Sequence, residues 1–203
     1  MAEAPTTLDQ LREALRAGLR DLPGLRLGEI DAQDLDLSNC NLEGGCFKEA
    51  RFGHARLSQA RLRLCSFQQA LLWGADLSKV EAWQSFWHEA DLSGARLQGA
   101  RFDEALLHRC CLRGVVAGGS SWRFARMVEA DFRSGLDQLT DLGGADFRGA
   151  DLSFALMQGA NLHGANLQGS CLYGANLRGC DLRGANLSDC DLANTQLEGA
   201  RFQ

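Results

Sequence analysis

Ala160-Asn161-Leu162-His163-Gly164-Ala165-Asn166-Leu167-Gln168-Gly169 carries one five-residue unit twice, and that unit decides the fold. Outward from it the phase never slips. Counted from Leu37 to Phe202, every fifth residue is a large apolar side chain at 31 of 34 positions, and alanine stands two places ahead of it at 19 of the 34. A period of five matches neither the 3.6 of a helix face nor the 2 of a strand face. Each unit must therefore turn a corner within a repeat architecture.

Units such as 160–164, 165–169 and Ala175-Asn176-Leu177-Arg178-Gly179 resemble the pentapeptide-repeat family, over residues 35–203. The resemblance implies an all-β solenoid: a right-handed quadrilateral parallel β-helix with four pentapeptides to a coil, the centre and small residues pointing inward. Stacked at ~4.8 Å, 34 units make about 8–9 coils and a rod ~40 Å long. Residues 20 apart then share a column, and one inward column reads Phe47, Phe67, Trp87, Leu107, Met127, Phe147, Leu167, Leu187. The unbroken phase predicts a rod without insertion.

Residues 1–24 read as a tail and a short N-terminal α-helix cap, and 25–203 as the β-helix. Thr7 with Gln10 forms a capping-box start. Leu8, Leu11, Leu15, Leu19 and Leu22 recur near helical spacing, and Pro23-Gly24 marks the expected stop. Met1-Ala2-Glu3-Ala4-Pro5 lacks the basic and apolar regions of a signal peptide, and no run approaches 18 apolar residues. A cytoplasmic protein without membrane contact is expected. The net charge of −5 argues against direct nucleic-acid binding, which needs clustered Lys and Arg. Regular units continue to Ala200-Arg201-Phe202-Gln203, an uncovered strand edge that points to an end-to-end homodimer through the C-terminal coils.

Eight cysteines invite a disulfide or metal reading, but there is no C-x-x-C pair. Cys40, Cys65, Cys110, Cys180 and Cys190 occupy the small inward position, where a thiol packs like alanine. Cys46, Cys111 and Cys171 scatter over the position before the centre. No catalytic, cofactor-binding or metal residues are expected. His88 and His108, vertical neighbours, read as solvated imidazoles.

Three centres depart from the pattern: Ala82, Ala117 and Asp137. A carboxylate aimed into the core is costly, so the chain is expected to bulge at 135–139, turning Leu136 or Leu139 inward and Asp137 out. If Leu136 stays outward, Val116, Leu136 and Leu156 form an apolar column, with Leu139 and Phe154 beside it, as one candidate partner surface; the alternative is that Leu136 turns inward. Trp83 and Phe86, with Leu106 above and Trp73 nearby, form a second. Arg51, Arg56, Arg61, Arg96 and Arg101 line the early coils. Asp131, Asp141, Asp146, Asp151, Asp181 and Asp191 line the later ones and suggest acidic rows that mimic duplex DNA. The leading expectation is a non-enzymatic scaffold whose flat faces bind a protein partner. The alternative follows from likeness to quinolone-resistance members of the family, which implies a gyrase- or topoisomerase-binding DNA mimic.

Overall fold

The computed structural model describes residues 4–203, so the opening Met1-Ala2-Glu3 of the leader reading lies outside the described residues. A single helix, α1 (Leu8–Arg16), starts at Thr7, whose hydroxyl accepts the Gln10 N–H, and it buries Leu11 and Leu15. It ends well before Leu22 and the stop expected at Pro23-Gly24. Gly18 takes φ +86° while its N–H reaches Leu15 O and the Leu19 N–H reaches Ala14 O, the Schellman pattern that closes a helix. Pro23-Gly24 instead belongs to the first turn of the rod, which begins at Asp21. Among the described residues no helix is long and apolar enough to cross a membrane.

From Asp21 onward the walls contain no continuous strands. They are built of single-residue parallel bridges, four to a turn, which define four faces. The first face climbs through Asp21, Asn41, Arg61, Glu81, Arg101, Ser121, Asp146, Asn166 and Asn186, giving nine levels. The second starts at Arg26, the third at Asp31 and the fourth at Asp36.

One pentad explains the composition. In residues 161–165 every backbone N–H is used. Asn161 donates down to Thr140 O, Leu162 up to Asp181 O, Gly164 up to Arg183 O, and Ala165 back to Leu162 O. The fifth, His163 N–H, goes to the Asn161 side-chain oxygen. An Asp or Asn before the centre is thus the acceptor for the one N–H that the ladder leaves over. The residue two after the centre is left-handed at each regular corner, as in a type II turn. Glycine adopts this readily (Gly164, φ 66°), whereas Phe124 and Phe154 hold it at 56° and 59° at a steric cost of about 1 kcal/mol each.

The expected absence of an insertion is wrong. Val116 pairs with Asp141 and Asp131 with Leu156, 25 residues apart rather than 20, because five extra residues leave the wall at the corner between the third and fourth faces on the sixth level. The insertion equals one pentad, so the sequence phase survives it. Every column drawn by steps of 20 across it is therefore misdrawn. Leu152, not Phe147, stands above Met127, and Phe147 stacks on Trp122 with ring centroids 6.0 Å apart. The Val116–Leu136–Leu156 column does not exist. Ala117 and Asp137 share no column.

Inside the rod, the two small centres have a shared cause. Ala82 precedes Ser85 and Trp87, and Ala117 precedes Ser120 and Trp122, in the same A-x-x-S-x-W spacing. An indole on one face needs room that a small centre on the preceding face supplies. The corner serine takes the indole N–H, Trp87 at 2.6 Å and Trp122 at 2.5 Å. Each serine hydroxyl passes on to the alanine carbonyl. Trp87 stacks on Phe67 at 4.3 Å and Trp122 on Phe102 at 4.5 Å. The inward cysteines behave as packing groups: Cys65, Cys110 and Cys180 point their thiols at carbonyls of the turn below. Burial pushes the Cys65 thiol up to about 12 and Cys180 to about 11.

Candidate functional site

Ser134-Gly135-Leu136-Asp137-Gln138-Leu139 is the one segment between Asp21 and the C-terminus that departs from the bridged wall. Its base is tied by Thr140, which fills the inward corner position used by alanine elsewhere and is fully buried. The Thr140 hydroxyl donates to Arg133 O (2.9 Å) and accepts from Gly114 N–H (2.8 Å). Above that anchor the loop is closed by Gly135 N–H to Gln138 O, 2.8 Å. It lies so close over Gly114 that a Cβ there would meet backbone atoms of Gly135 and Gln138 at 3.1–3.2 Å.

Asp137 faces solvent, as the bulge reading expects, but neither leucine turns inward. Leu136 is 105% exposed and Leu139 70%. Val116 lies beside the loop, where it and Gln138 line a shallow groove on the fourth face. Leu156 is on the third face, directly above Asp131 at the loop's entry. Phe154 sits one corner away with its ring edge-on to Tyr173 at 5.4 Å. Of the first candidate surface, Val116, Leu136, Leu139 and Leu156 thus gather around the loop through a different geometry from the expected column. Trp73 borders a groove of about 610 Å³ that runs from it to the loop.

Trp83 and Phe86 lie across the rod. The Trp83 ring is covered by the Arg63 guanidinium at 4.2 Å and stands only partly exposed. Phe86 stands on the second face at the fourth level. Phe86 (36% exposed) and Leu106 (38%) stack on successive levels, beside His88 and His108, whose rings are parallel at 5.3 Å. With Val128 and Arg126 they line a groove of about 410 Å³ bounded by Asp151.

The acidic rows do not assemble. Asp141 and Asp181 stand on the fourth face with Asn161 between them, Asp151 and Asp191 on the second with Cys171 between, Asp131 on the third and Asp146 on the first. All six accept the N–H two residues on, the job that Asn161 does without charge. Half of them also pair with arginine. Arg113 and Arg133 grip Asp131 at 2.6 and 2.8 Å, Arg148 grips Asp146 at 2.7 Å, and Arg183 and Arg201 grip Asp181 at 2.6 and 3.1 Å. Partial burial works to raise the Asp131 carboxyl, yet the hydrogen bonds from Arg133 and Arg113 outweigh it and hold it below its ordinary range. The Arg183 hydrogen bond does the same for Asp181.

The loop was hidden in the sequence by its length. The inward Thr140, flanked by Gly135 and the misplaced Asp137, was the available signal.

A search of curated proteins returns no match to this sequence. Among solved structures, HetL, a pentapeptide repeat protein involved in heterocyst differentiation regulation from the cyanobacterium Nostoc sp. strain PCC 7120, is 29% identical; the alignment covers 98% of each chain with a TM-score of 0.84. A trypsin-treated form of QnrB1, a plasmid-mediated fluoroquinolone resistance protein, is 19% identical over 89% of this chain and 91% of its own, with a TM-score of 0.37. The match to the first over nearly the whole of both chains assigns the four bridged faces to the right-handed β-helix of pentapeptide repeat proteins. A family profile for pentapeptide repeats, in 8 copies, matches residues 46–81, 72–109, 140–179 and 170–203, and the stretch between, 110–139, holds the insertion. With more than half of its length matched on both sides of that loop, the chain belongs to the pentapeptide-repeat family.

Proposed function

We propose that the protein is a non-enzymatic scaffold that presents the 134–139 loop and its flanking faces to a protein partner. The observation that carries this reading is the contrast at that corner: a fully buried Thr140 anchors a loop whose two leucines stand in solvent. Exposed apolar side chains on a fixed base mark contact surfaces. Likeness to HetL, a protein of regulation, fits a binding role. Capture from lysate of the organism's own proteins, by crosslinking with the wild-type chain and with Leu136→Asp/Leu139→Asp, tests it. The double variant is expected to lose the partner, and an unchanged captured set would overturn the reading.

The DNA-mimic reading asks for a continuous run of free carboxylates. Asp131, Asp146 and Asp181 are neutralised in place by arginine, which sets it second. Supercoiling by purified gyrase, with and without a quinolone, is its test. Neither inhibition nor protection at micromolar protein ends it.

A further inference from the structure

The loop and the second-face groove are complementary to one another, yet they face away from each other on the same rod. The loop offers an apolar side chain next to a free carboxylate, Leu136 then Asp137, both exposed. The groove offers an apolar floor, Phe86 and Leu106, next to Arg126, which makes no ion pair among the described residues. Its one carboxylate, Asp151, is engaged by the Ser153 N–H and hydroxyl at 3.1 and 2.6 Å. At the rim His88, Glu89, Arg109 and Glu129 are joined in a chain of contacts at 3.3–3.6 Å. The two features also overlap in height: the groove runs from Gln68 on the third level to Asp151 on the seventh with Phe86, Leu106 and Arg126 on the fourth to sixth, and the loop leaves the sixth and folds back over Gly114 on the fifth.

A rod cannot fill its own groove, because the loop projects from the edge between the third and fourth faces. We propose that the occupant is a second copy of this chain: Leu136 of one rod seats between Phe86 and Leu106 of its neighbour, with Asp137 against Arg126. The rods then lie side by side with little axial offset. The contact joins two different patches, so it leaves a free loop at one side and a free groove at the other and repeats without closing. This inference rests on reading the loop as a contact element and adds what that element contacts.

Sedimentation velocity of the full chain over a concentration series at low salt tests it. The wild type is expected to grow in mass with concentration. Leu136→Asp, which keeps its groove, and Phe86→Glu, which keeps its loop, are each expected to stay monomeric, with association weakened about tenfold or more. An equimolar mixture of the two should form a species of twice the monomer mass and stop there, since only one working contact remains. Arg126→Glu replaces Phe86→Glu if circular dichroism shows the latter unfolded. Arg126→Glu and Asp137→Lys should each abolish association and the double variant should restore it. A wild type that stays monomeric overturns the proposal, as does a mixture that fails to pair. A dimer that both single variants retain would be end-to-end pairing through the last coils, and overturns it as well. If association is absent but Leu136→Asp/Leu139→Asp still loses the captured partner, the scaffold reading stands alone.

Discussion

The second face and the corner that carries the loop are made from the same kind of pentad, and they expose apolar side chains in opposite ways. On the face, the backbone of each unit is committed to the turns above and below, and Phe86 rides on the outside of a wall whose inner side is the Trp87–Phe67 stack. Exposed rings there lie along the wall, as Trp83 does beneath Arg63. At the corner, the chain from Gly135 to Leu139 has left the ladder and is held by one internal hydrogen bond and by Thr140 at its base. The same residue type is thus a floor in one place and a knob in the other. What separates them is whether the backbone N–H groups are used by neighbouring turns.

The largest expected effect lies behind the groove. Trp87→Ala removes a fully buried indole and should cost about 3–5 kcal/mol of stability, read as a shifted urea midpoint. A loss below about 1 kcal/mol would show that the wall is not rigid and would erase the contrast. Next come the hydroxyls that serve each region. Ser120→Ala strands the buried Trp122 N–H and should cost about 1–3 kcal/mol globally. Thr140→Val should cost about 1 kcal/mol, with hydrogen exchange at Gly114 quickening locally. A global collapse after Thr140→Val would mean that the anchor supports the wall rather than the loop.

Acid should act on the wall before the loop. The Ser38 hydrogen bonds, with Arg56, hold the Asp36 carboxyl at about 2, below its unfolded value of 3.8, and Arg148 likewise depresses Asp146. Lowered carboxyl groups stabilise the fold fully above the unfolded value and lose that contribution as pH falls through the folded one. Urea midpoints measured from pH 5 downward should therefore hold until about 4 and decline toward about 2. A midpoint that rises over that interval would contradict the pairing. The smallest change is expected from removing the loop itself. Deleting 135–139 leaves Phe132-Arg133-Ser134-Thr140-Asp141, a regular pentad, and should alter stability by less than about 1 kcal/mol, since loop closure depends weakly on length. A large loss would show that the loop braces the rod.

The fold was nearly all legible because the inward row has one chemical requirement repeated at one interval. The ends of α1 were less so, since Pro23-Gly24 looks like a stronger stop than Ala17-Gly18-Leu19 until the Schellman bonds are drawn. Ala82 and Ala117 read as defects because their reason, an indole on the following face, is a matter of volume and not of sequence periodicity. The aspartates misled for a related reason: a carboxylate and an amide serve the turn N–H equally, so charge at that position reports turn chemistry more than surface design. The columns that defined the candidate partner surfaces were misdrawn beyond the loop, because counting by 20 fails once a pentad leaves the wall.

That the pentads are interchangeable raises a question of register. A loop one unit long has a simple route of migration, one pentad re-entering the wall while its neighbour is expelled, so that each pentad the loop passes moves round by one face. Asp137 blocks this. Laid into the wall, residues 135–139 would aim a carboxylate at the packed axis, at a cost of several kcal/mol for an unpaired buried charge. The residue that looks like an error in the repeat is the one that holds the loop at this corner.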